Sequence, residues 1–419
     1  MKRVRFFAGL AARLPVRAVF LWASLMALPM PAVAQGGVVD NVLLRWREPL
    51  EACEEAAFGD GAVPLDIDAM LYVAMFEAVN AVTRTYQPYT AKIAPAPGSS
   101  AEAAAAQAAH DVIVNYCAAQ KDAAEGVLTA SLALVKDSTA RAGGVAVGAK
   151  AAAAIMGARA NAGSTGTDGF YPAATAGVYV PTTRQVGLVF ARSAPWVMRT
   201  QSELRPPPPP TLTSETWSRD YEEIRRMGAK SGSARSDVQT DIGKFWGPRD
   251  VRIVLRQLVG LPGRRLVDDA RFLALAEMAW ADSYVSMMDG KYAYNFWRPV
   301  TAIRGGAMDG NDRTLPDSAW TTLMPTPMHP EYPCGHCLSA VAAGTVIAEE
   351  FGSRMPAIVL DMEGALLRRY PTAEAYIDEV TESRLLAGVH YRFSLDVGKA
   401  MGVSLGKLAV ERYFQPVDK

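Results

Sequence analysis

The sequence has few of the residues that most often carry chemistry, with four histidines and four cysteines among 419 residues. It also has no excess of one charge, because 43 Lys and Arg side chains are balanced by 43 Asp and Glu side chains. Binding to nucleic acid requires a basic excess that neutralises phosphates, so the composition argues against that class. Half of the residues are hydrophobic, which excludes disorder as the dominant state.

Long hydrophobic runs are missing except near the N-terminus. Basic residues precede an apolar stretch at 18–30, which is shorter than the roughly 20 residues of a membrane-spanning helix. Small residues at 32–34 then fit a cleavage site before Gln35. The sequence therefore predicts a signal peptide over 1–34, export to the periplasm or the medium, and no stable membrane span after cleavage. A retained membrane anchor is the alternative.

The four cysteines are interpreted in the light of export. An even number of cysteines in an oxidising compartment favours two disulfides. Cys334 and Cys337 are close enough in sequence to pair with each other, and Cys53 with Cys117 is the remaining option. A chain of this length buries a large core, so the fold does not depend on these bonds.

The hydrophobic pattern is helical almost throughout, and alternating strand patterns are scarce. Apolar residues recur at helical spacing over 65–80. Further helices are predicted near 101–116, 121–140, 144–160, 217–227, 236–245, 268–294, 336–351, 372–386 and 395–412. We expect an all-α fold of two packed helical bundles.

The distribution of Gly and Pro suggests how the chain is divided. Residues 161–215 are rich in Gly, Thr and Pro and include the unbroken proline run 206–210, which is stiff and non-helical. This segment is predicted to be a linker that crosses the surface. It would separate an N-terminal helical region, 35–160, from a C-terminal helical bundle, 216–419, that carries the site.

Three short stretches carry the candidate chemistry. Lys291 and Arg298 are seven residues apart, which on a continuous helix places both cations on one face, among aromatic residues. Gly335 and His336 open a predicted helix, whose free N–H groups favour an anion. In the third stretch, 383–396, a glycine between Arg384 and His390 can break the helix and turn both side chains into one pocket.

Together these stretches supply three cations and two histidines, the set of groups that binds a buried tetrahedral oxyanion. Guanidinium groups bind pairs of oxygens and stay charged at any working pH. One imidazole can bond to the central atom, and the other can transfer protons near neutral pH.

The combination Lys-x6-Arg-Pro, Pro-x-Gly-His and Ser-Arg-x5-His resembles the vanadium-dependent haloperoxidases. These enzymes share a superfamily with type 2 phosphatidic-acid phosphatases and bacterial acid phosphatases. The resemblance is strongest over 291–396, and residues 296–303 and 329–333 look like the bacterial haloperoxidase-like branch. It implies the two-bundle fold and a vanadate cofactor, with phosphate able to occupy the same pocket. The implied reaction is halide oxidation driven by hydrogen peroxide at a His-ligated vanadate.

The resemblance also implies a role for each matching position. His390 would be the vanadate ligand, and His336 the acid–base group. The backbone N–H of Gly335 would donate to the oxyanion. The oxygens of the anion would be neutralised by Lys291, Arg298 and Arg384.

Two departures from the family pattern stand out. The family usually has Ser at the position of Cys334 and often has a second Ser at the position of Cys337. The two cysteines suggest a disulfide beside the pocket, which would weaken or retune anion binding. Ser394 stands where the family commonly has an Asp that orients the ligand histidine, and Asp396 is displaced by two residues. Ser394 and Asp396 are thus the candidate orienting residues.

Other functions also fit the sequence. In the same superfamily, an acid phosphatase would hydrolyse a phosphate ester through a phosphohistidine at His390. The substitutions at 334, 337 and 394 also fit an inactive oxyanion-binding homologue. Cys-Gly-His-Cys matches the dithiol of disulfide isomerases, although that motif belongs in a thioredoxin-like strand–helix context. A calcium-like loop at Asp309 is interpreted as a turn, and His110 and His329 as structural or rim residues.

Overall fold

The computed structural model describes residues 41–417 apart from 61–63, 65, 91–92, 95–96, 164–169, 171, 182–186, 248 and 363–364. The predicted signal peptide lies outside the described residues. The described residues all belong to one compact unit. In the described part, no helix is both long enough and apolar enough to cross a membrane.

The N-terminal helices follow the Ala-rich pattern of the sequence. They are α1 (Arg47–Asp60), α2 (Ile67–Thr83), α3 (Ala101–Tyr116), α4 (Lys121–Ala133) and α5 (Ser138–Arg159). The sequence predicted one helix over 121–140, and that prediction is wrong. Asp137 caps α5 by accepting hydrogen bonds from the backbone N–H groups of Thr139 and Ala140, so a new helix begins there.

The C-terminal helices match the prediction more closely. They are α6 (Glu215–Met227), α7 (Asp237–Trp246), α8 (Leu266–Tyr294), α9 (Pro299–Arg304), α10 (Gly335–Phe351), α11 (Ala373–Leu386) and α12 (Arg392–Arg412). The short helix α9 and a 3-10 segment at Val251–Leu258 were not predicted. Two three-residue strands, β1 (Ile358–Leu360) and β2 (Arg368–Tyr370), form an antiparallel pair in register Val359 to Arg369.

The helices pack as two bundles that share the long helix α8. Helices α2, α3 and α5 contact one another, whereas α10 contacts α8, α11 and α12. Helix α2 also packs on α8, so one continuous apolar core runs through both bundles. The predicted all-α fold of two packed helical bundles is confirmed.

Small residues allow the helices that surround the site to approach closely. A Cβ atom on Gly398 of α12 would lie 2.6 Å from the carbonyl oxygen of Cys334, just before α10. Only glycine therefore fits at this contact, which holds the start of α10 against α12.

The proline run lies against the loops that lead to the site. Tyr294 and Tyr332 donate hydrogen bonds from their hydroxyl groups to the carbonyl oxygens of Pro206 and Pro207, at 2.5 and 2.8 Å. The proline segment thus braces the loop before α10. The boundaries 161–215 of the linker stay a prediction.

Candidate active site

The structure brings the three predicted stretches together at the C-terminal ends of α8 and α11 and the N-terminal end of α10. Lys291 lies in the last turn of α8, and Arg298 precedes α9. The predicted continuous helix with both cations on one face is wrong. Helix α8 ends at Tyr294, because Asn295 adopts a left-handed conformation with φ 46°. The chain turns there, and Arg298 reaches the site from the following segment.

Arg298 is buried and connects the second and third stretches. Its Nε donates to the carbonyl oxygen of His329 at 3.0 Å, and its Nη1 donates to that of Val389 at 2.8 Å. The same Nη1 atom lies 3.3 Å from Nε2 of His390. The Arg298 guanidinium therefore faces Nε2 of His390, the residue that the resemblance assigns as the vanadate ligand.

A glycine places His390 in this pocket, as the sequence predicted. Gly388 has φ 81°, and the N–H groups of Gly388 and Val389 donate to the carbonyl oxygens of Leu385 and Arg384. This hydrogen-bond pattern ends α11 as a Schellman motif. The chain reverses within three residues of α11, which carries His390 back towards Arg298.

Glu331 was not predicted as a site residue, yet it is the partner of His390. Its Oε1 atom lies 2.7 Å from Nδ1 of His390 and accepts a hydrogen bond from the backbone N–H of Tyr391 at 3.2 Å. Burial raises the pKa of Glu331 to about 7, although the positive charges of Lys291 and Arg298 act to lower it. The only sequence signal was an acidic residue between two prolines in the second stretch.

The predicted orienting residues do not make this contact. Asp396 is exposed, and the charged groups that influence its pKa are Arg392, Asp220, Glu223 and Arg219, none of which belongs to the site. Ser394 is buried and near enough to lower the pKa of Glu331, but its Oγ has no well-formed hydrogen bond to any described residue. The carboxylate comes from a different loop because α12 begins at Arg392 and directs residue 396 outward.

Lys291 is fully buried, and backbone carbonyls accept from its ammonium group. Its Nζ donates to the carbonyl oxygens of Pro330, Glu331 and Pro333 at 2.9, 2.7 and 2.6 Å. Burial lowers the pKa of Lys291 well below its ordinary range, and the charge of Arg298 acts in the same direction. An ammonium group has three N–H donors, so the loop before α10 already uses all of them. Lys291 holds this loop in addition to adding positive charge.

Arg384 has buried donors that nothing in the described part of the chain satisfies. Its Nε and Nη1 atoms are buried and have no hydrogen-bond partner there. Burial lowers the pKa of Arg384 to about 9, and the charge of Arg298 lowers it as well. A buried guanidinium without an acidic partner is costly, and a bound anion would remove that cost.

The first turn of α10 forms another side of the site. A Cβ atom on Gly335 would lie 2.1 Å from the sulfur of Met287, so a larger residue here would have to displace the Met287 side chain. Cys334 caps the helix, and its sulfur accepts a hydrogen bond from the backbone N–H of Cys337 at 3.3 Å. The structure contains both predicted disulfides, Cys334–Cys337 and Cys53–Cys117.

His336 lies in the same turn and faces a cavity. The cavity has a volume of about 590 Å³, and its lining includes His336, Ser339, Trp280 and Tyr284. Burial lowers the pKa of His336 well below its ordinary range, and the positive charges of Arg384, Lys291 and Arg298 lower it further. His336 therefore connects the positively charged pocket to an open space large enough for small substrates.

These features fit a tetrahedral oxyanion such as vanadate or phosphate. Burial lowers the pKa of His390 well below its ordinary range, with Arg298, Lys291 and Arg384 acting in the same direction. The imidazole is thus neutral near pH 7, which leaves a nitrogen lone pair for a bond to the central atom. Arg298, Arg384 and the N-terminus of α10 supply the positive potential for the oxygens.

Other sequence features are structural. Asp309 accepts hydrogen bonds from Trp217, Asn311 and Thr314 at 2.7–2.9 Å, which confirms a turn. His110 pairs with Asp111 on α3, and His329 contacts Arg298 at 3.0 Å. Among the described residues, no group of three or more His, Cys, Asp or Glu side chains could hold a metal ion.

Known proteins give a consistent picture. Residues 271–419 match the family described as the VCPO second helical-bundle domain. No curated protein sequence matches the chain significantly.

The similar solved structures show the fold. A bacterial vanadium-dependent iodoperoxidase has a TM-score of 0.72 and 21% identity, covering 90% of this chain and 98% of that chain. The holo form of a bacterial vanadium-dependent chloroperoxidase has a TM-score of 0.66 and 19% identity, covering 91% and 94%. The apo form of a bacterial vanadium-dependent chloroperoxidase has a TM-score of 0.66 and 19% identity, covering 92% of this chain and 96% of that chain. Residues 271–419 thus match the family of this helical-bundle domain, and the chain shares the fold of these bacterial vanadium-dependent haloperoxidases.

Proposed function

We propose that the chain is an exported vanadate-dependent haloperoxidase that oxidises halide with hydrogen peroxide. The observation that carries the proposal is the buried guanidinium of Arg384, whose Nε and Nη1 have no partner among the described residues, in the same pocket as the neutral imidazole of His390. A group with several negatively charged oxygens and a central atom that accepts a nitrogen ligand suits both features.

Each side chain has a defined task in this proposal. Nε2 of His390 would hold the central atom, while Arg298, Arg384 and the first N–H groups of α10 would bind the oxygens. Bound vanadate would supply the activation of peroxide and the transfer of oxygen to halide. His336 lies between the pocket and the cavity, so its imidazole would exchange protons with the incoming peroxide.

The similar structures support a peroxidase more than a phosphatase. Two of them are described as an iodoperoxidase and a chloroperoxidase, and each covers at least nine-tenths of this chain. Their low identity leaves the halide open, so iodide, bromide and chloride all need to be tested.

The experiment measures halogenation of an indicator dye by residues 35–419 with peroxide, each halide and orthovanadate. We expect turnover that requires vanadate and is inhibited by phosphate. Hydrolysis of a phosphate ester without any halogenation would instead identify a phosphatase. Halogenation that is independent of vanadate would contradict the proposal.

Two variants test the assigned roles. His390→Ala removes the nitrogen ligand and is expected to abolish vanadate-dependent turnover. His336→Ala leaves the cations in place, so it is expected to reduce turnover much more than vanadate affinity. Wild-type turnover in the His390 variant would refute the assignment, and His110→Gln in the distant α3 is the control.

Export is a separate part of the proposal, and it depends on residues 1–34. Mass analysis of the N-terminus of the protein produced in a bacterial host tests it. We expect a chain that begins at Gln35 in the exported fraction, whereas an intact Met1 would contradict cleavage.

A further inference from the structure

Glu331 is the point at which all three site stretches meet. Its backbone N–H donates to the carbonyl oxygen of Phe296 at 2.8 Å, and its own carbonyl oxygen accepts from Lys291 at 2.7 Å. Its carboxylate reaches His390 and Tyr391 in the third stretch. The residue is fully buried, so these contacts are sheltered from water.

The hydrogen bonds of the carboxylate determine which imidazole nitrogen carries the proton. The backbone N–H of Tyr391 donates to Oε1 of Glu331, so Oε1 is an acceptor. Nδ1 of His390 lies 2.7 Å from the same oxygen, and it is the donor because the other ring nitrogen, Nε2, faces Nη1 of Arg298, which can only donate. In a neutral imidazole this leaves Nε2 unprotonated, and Nε2 is the nitrogen that faces Arg298 at 3.3 Å.

We propose that Glu331 is a positioning residue that fixes His390 in the Nδ1–H tautomer, with the Nε2 lone pair directed into the oxyanion pocket. It takes over, from another loop, the task that the sequence assigned to Ser394 or Asp396. The inference rests on the proposed function only in taking His390 as the nitrogen ligand. Histidine ligands generally have their second nitrogen fixed in this way by a carboxylate or carbonyl group.

The tautomer is measured directly, without any cofactor, by nitrogen NMR of protein labelled at its four histidines. The His390 signals are assigned by their absence from His390→Gln. We expect wild-type His390 to be protonated on Nδ1, Glu331→Ala to lose this preference, and Glu331→Gln to keep it, because an amide oxygen still accepts. Asp396→Asn is the matched control and is expected to leave the spectrum unchanged.

Affinity for orthovanadate and, separately, for inorganic phosphate is the second readout. We expect Glu331→Ala to weaken vanadate binding by about 10- to 100-fold, with Glu331→Gln much closer to wild type. A folded Glu331→Ala variant that keeps the Nδ1–H tautomer would overturn the proposal. If that variant does not fold, a wild-type His390 protonated on Nε2 would overturn it.

The tautomer result is independent of the proposed reaction. A protein without haloperoxidase activity that shows the predicted tautomers would refute the proposed function and leave the role of Glu331 intact.

Discussion

Arg384 and Lys291 differ in how their donors are used, although both are buried cations of the same pocket. The three N–H donors of Lys291 end on backbone carbonyls, whereas Nε and Nη1 of Arg384 have no partner in the described part of the chain. Arg384 is therefore the cation with hydrogen bonds still to give to an anion. The sequence predicted the same role for both cations, because residue type does not show which N–H donors are already bonded to backbone carbonyls.

Replacing Arg384 is expected to weaken binding of phosphate and vanadate strongly. Hydrogen bonds to charged groups contribute about 1.5–3 kcal/mol each, so Arg384→Ala is expected to raise the dissociation constant at least about tenfold. Arg384→Lys keeps the charge without the planar guanidinium, so its dissociation constant is expected to lie between those of the wild type and Arg384→Ala. Calorimetric titration measures this. Unchanged affinity in Arg384→Ala would exclude a direct contact, and Arg369→Ala at an exposed arginine is the control.

At the scale of elements, the first turn of α10 combines a disulfide with a helix N-terminus. Cys334 and Cys337 are fully buried and joined by a disulfide. The family that the sequence resembles usually has Ser at the first of these positions and often at the second. A disulfide sulfur donates no hydrogen bond, whereas a Ser hydroxyl does. Ser is also a stronger helix cap.

The double variant Cys334→Ser with Cys337→Ser is therefore expected to bind the oxyanion more tightly. One additional hydrogen bond of about 1 kcal/mol corresponds to roughly a fivefold lower dissociation constant. The control Cys53→Ser with Cys117→Ser removes the other disulfide, outside the site, and is expected to change stability alone. Weaker binding in the Cys334/Cys337 variant would show that the disulfide shapes the pocket favourably.

At the scale of the whole molecule, the core contains carboxylic acids whose ionisation opposes folding. Burial raises the pKa of Glu77 in α2 to about 7 and that of Asp282 in α8 to about 6. The folded state then holds a proton more tightly than the unfolded state does. The contribution of each protonated acid to the free energy of unfolding is complete at low pH and is lost as the pH rises through the pKa of the folded state.

These groups are expected to lower the free energy of unfolding as the pH rises from about 4.5 to about 7. For Glu77 the loss amounts to roughly 1–3 kcal/mol. Chemical denaturation at several pH values measures the slope, and Glu77→Gln is expected to reduce it. The exposed Glu349 provides the control variant Glu349→Gln. A slope that Glu77→Gln leaves unchanged would contradict this account.

The sequence predicted the positions of the helices better than the turns and long-range contacts that bring the site residues together. Helical periodicity and Ala content located most helices, and Gly388 correctly indicated the break that returns His390 to the pocket. The turn at Asn295 was missed, although Asn is one of the few residues other than glycine that adopt the left-handed conformation at a helix end. Glu331 was missed because its partnership with His390 spans 59 residues and depends on how two loops pack.

The central claim is that His390 and its cations hold one tetrahedral oxyanion, and equilibrium dialysis of residues 35–419 against orthovanadate tests it most directly. We expect one vanadate per wild-type chain, displaced by phosphate, and no stoichiometric vanadate in a folded His390→Ala variant. Equal binding by both proteins, or no binding by the wild type, would contradict the account.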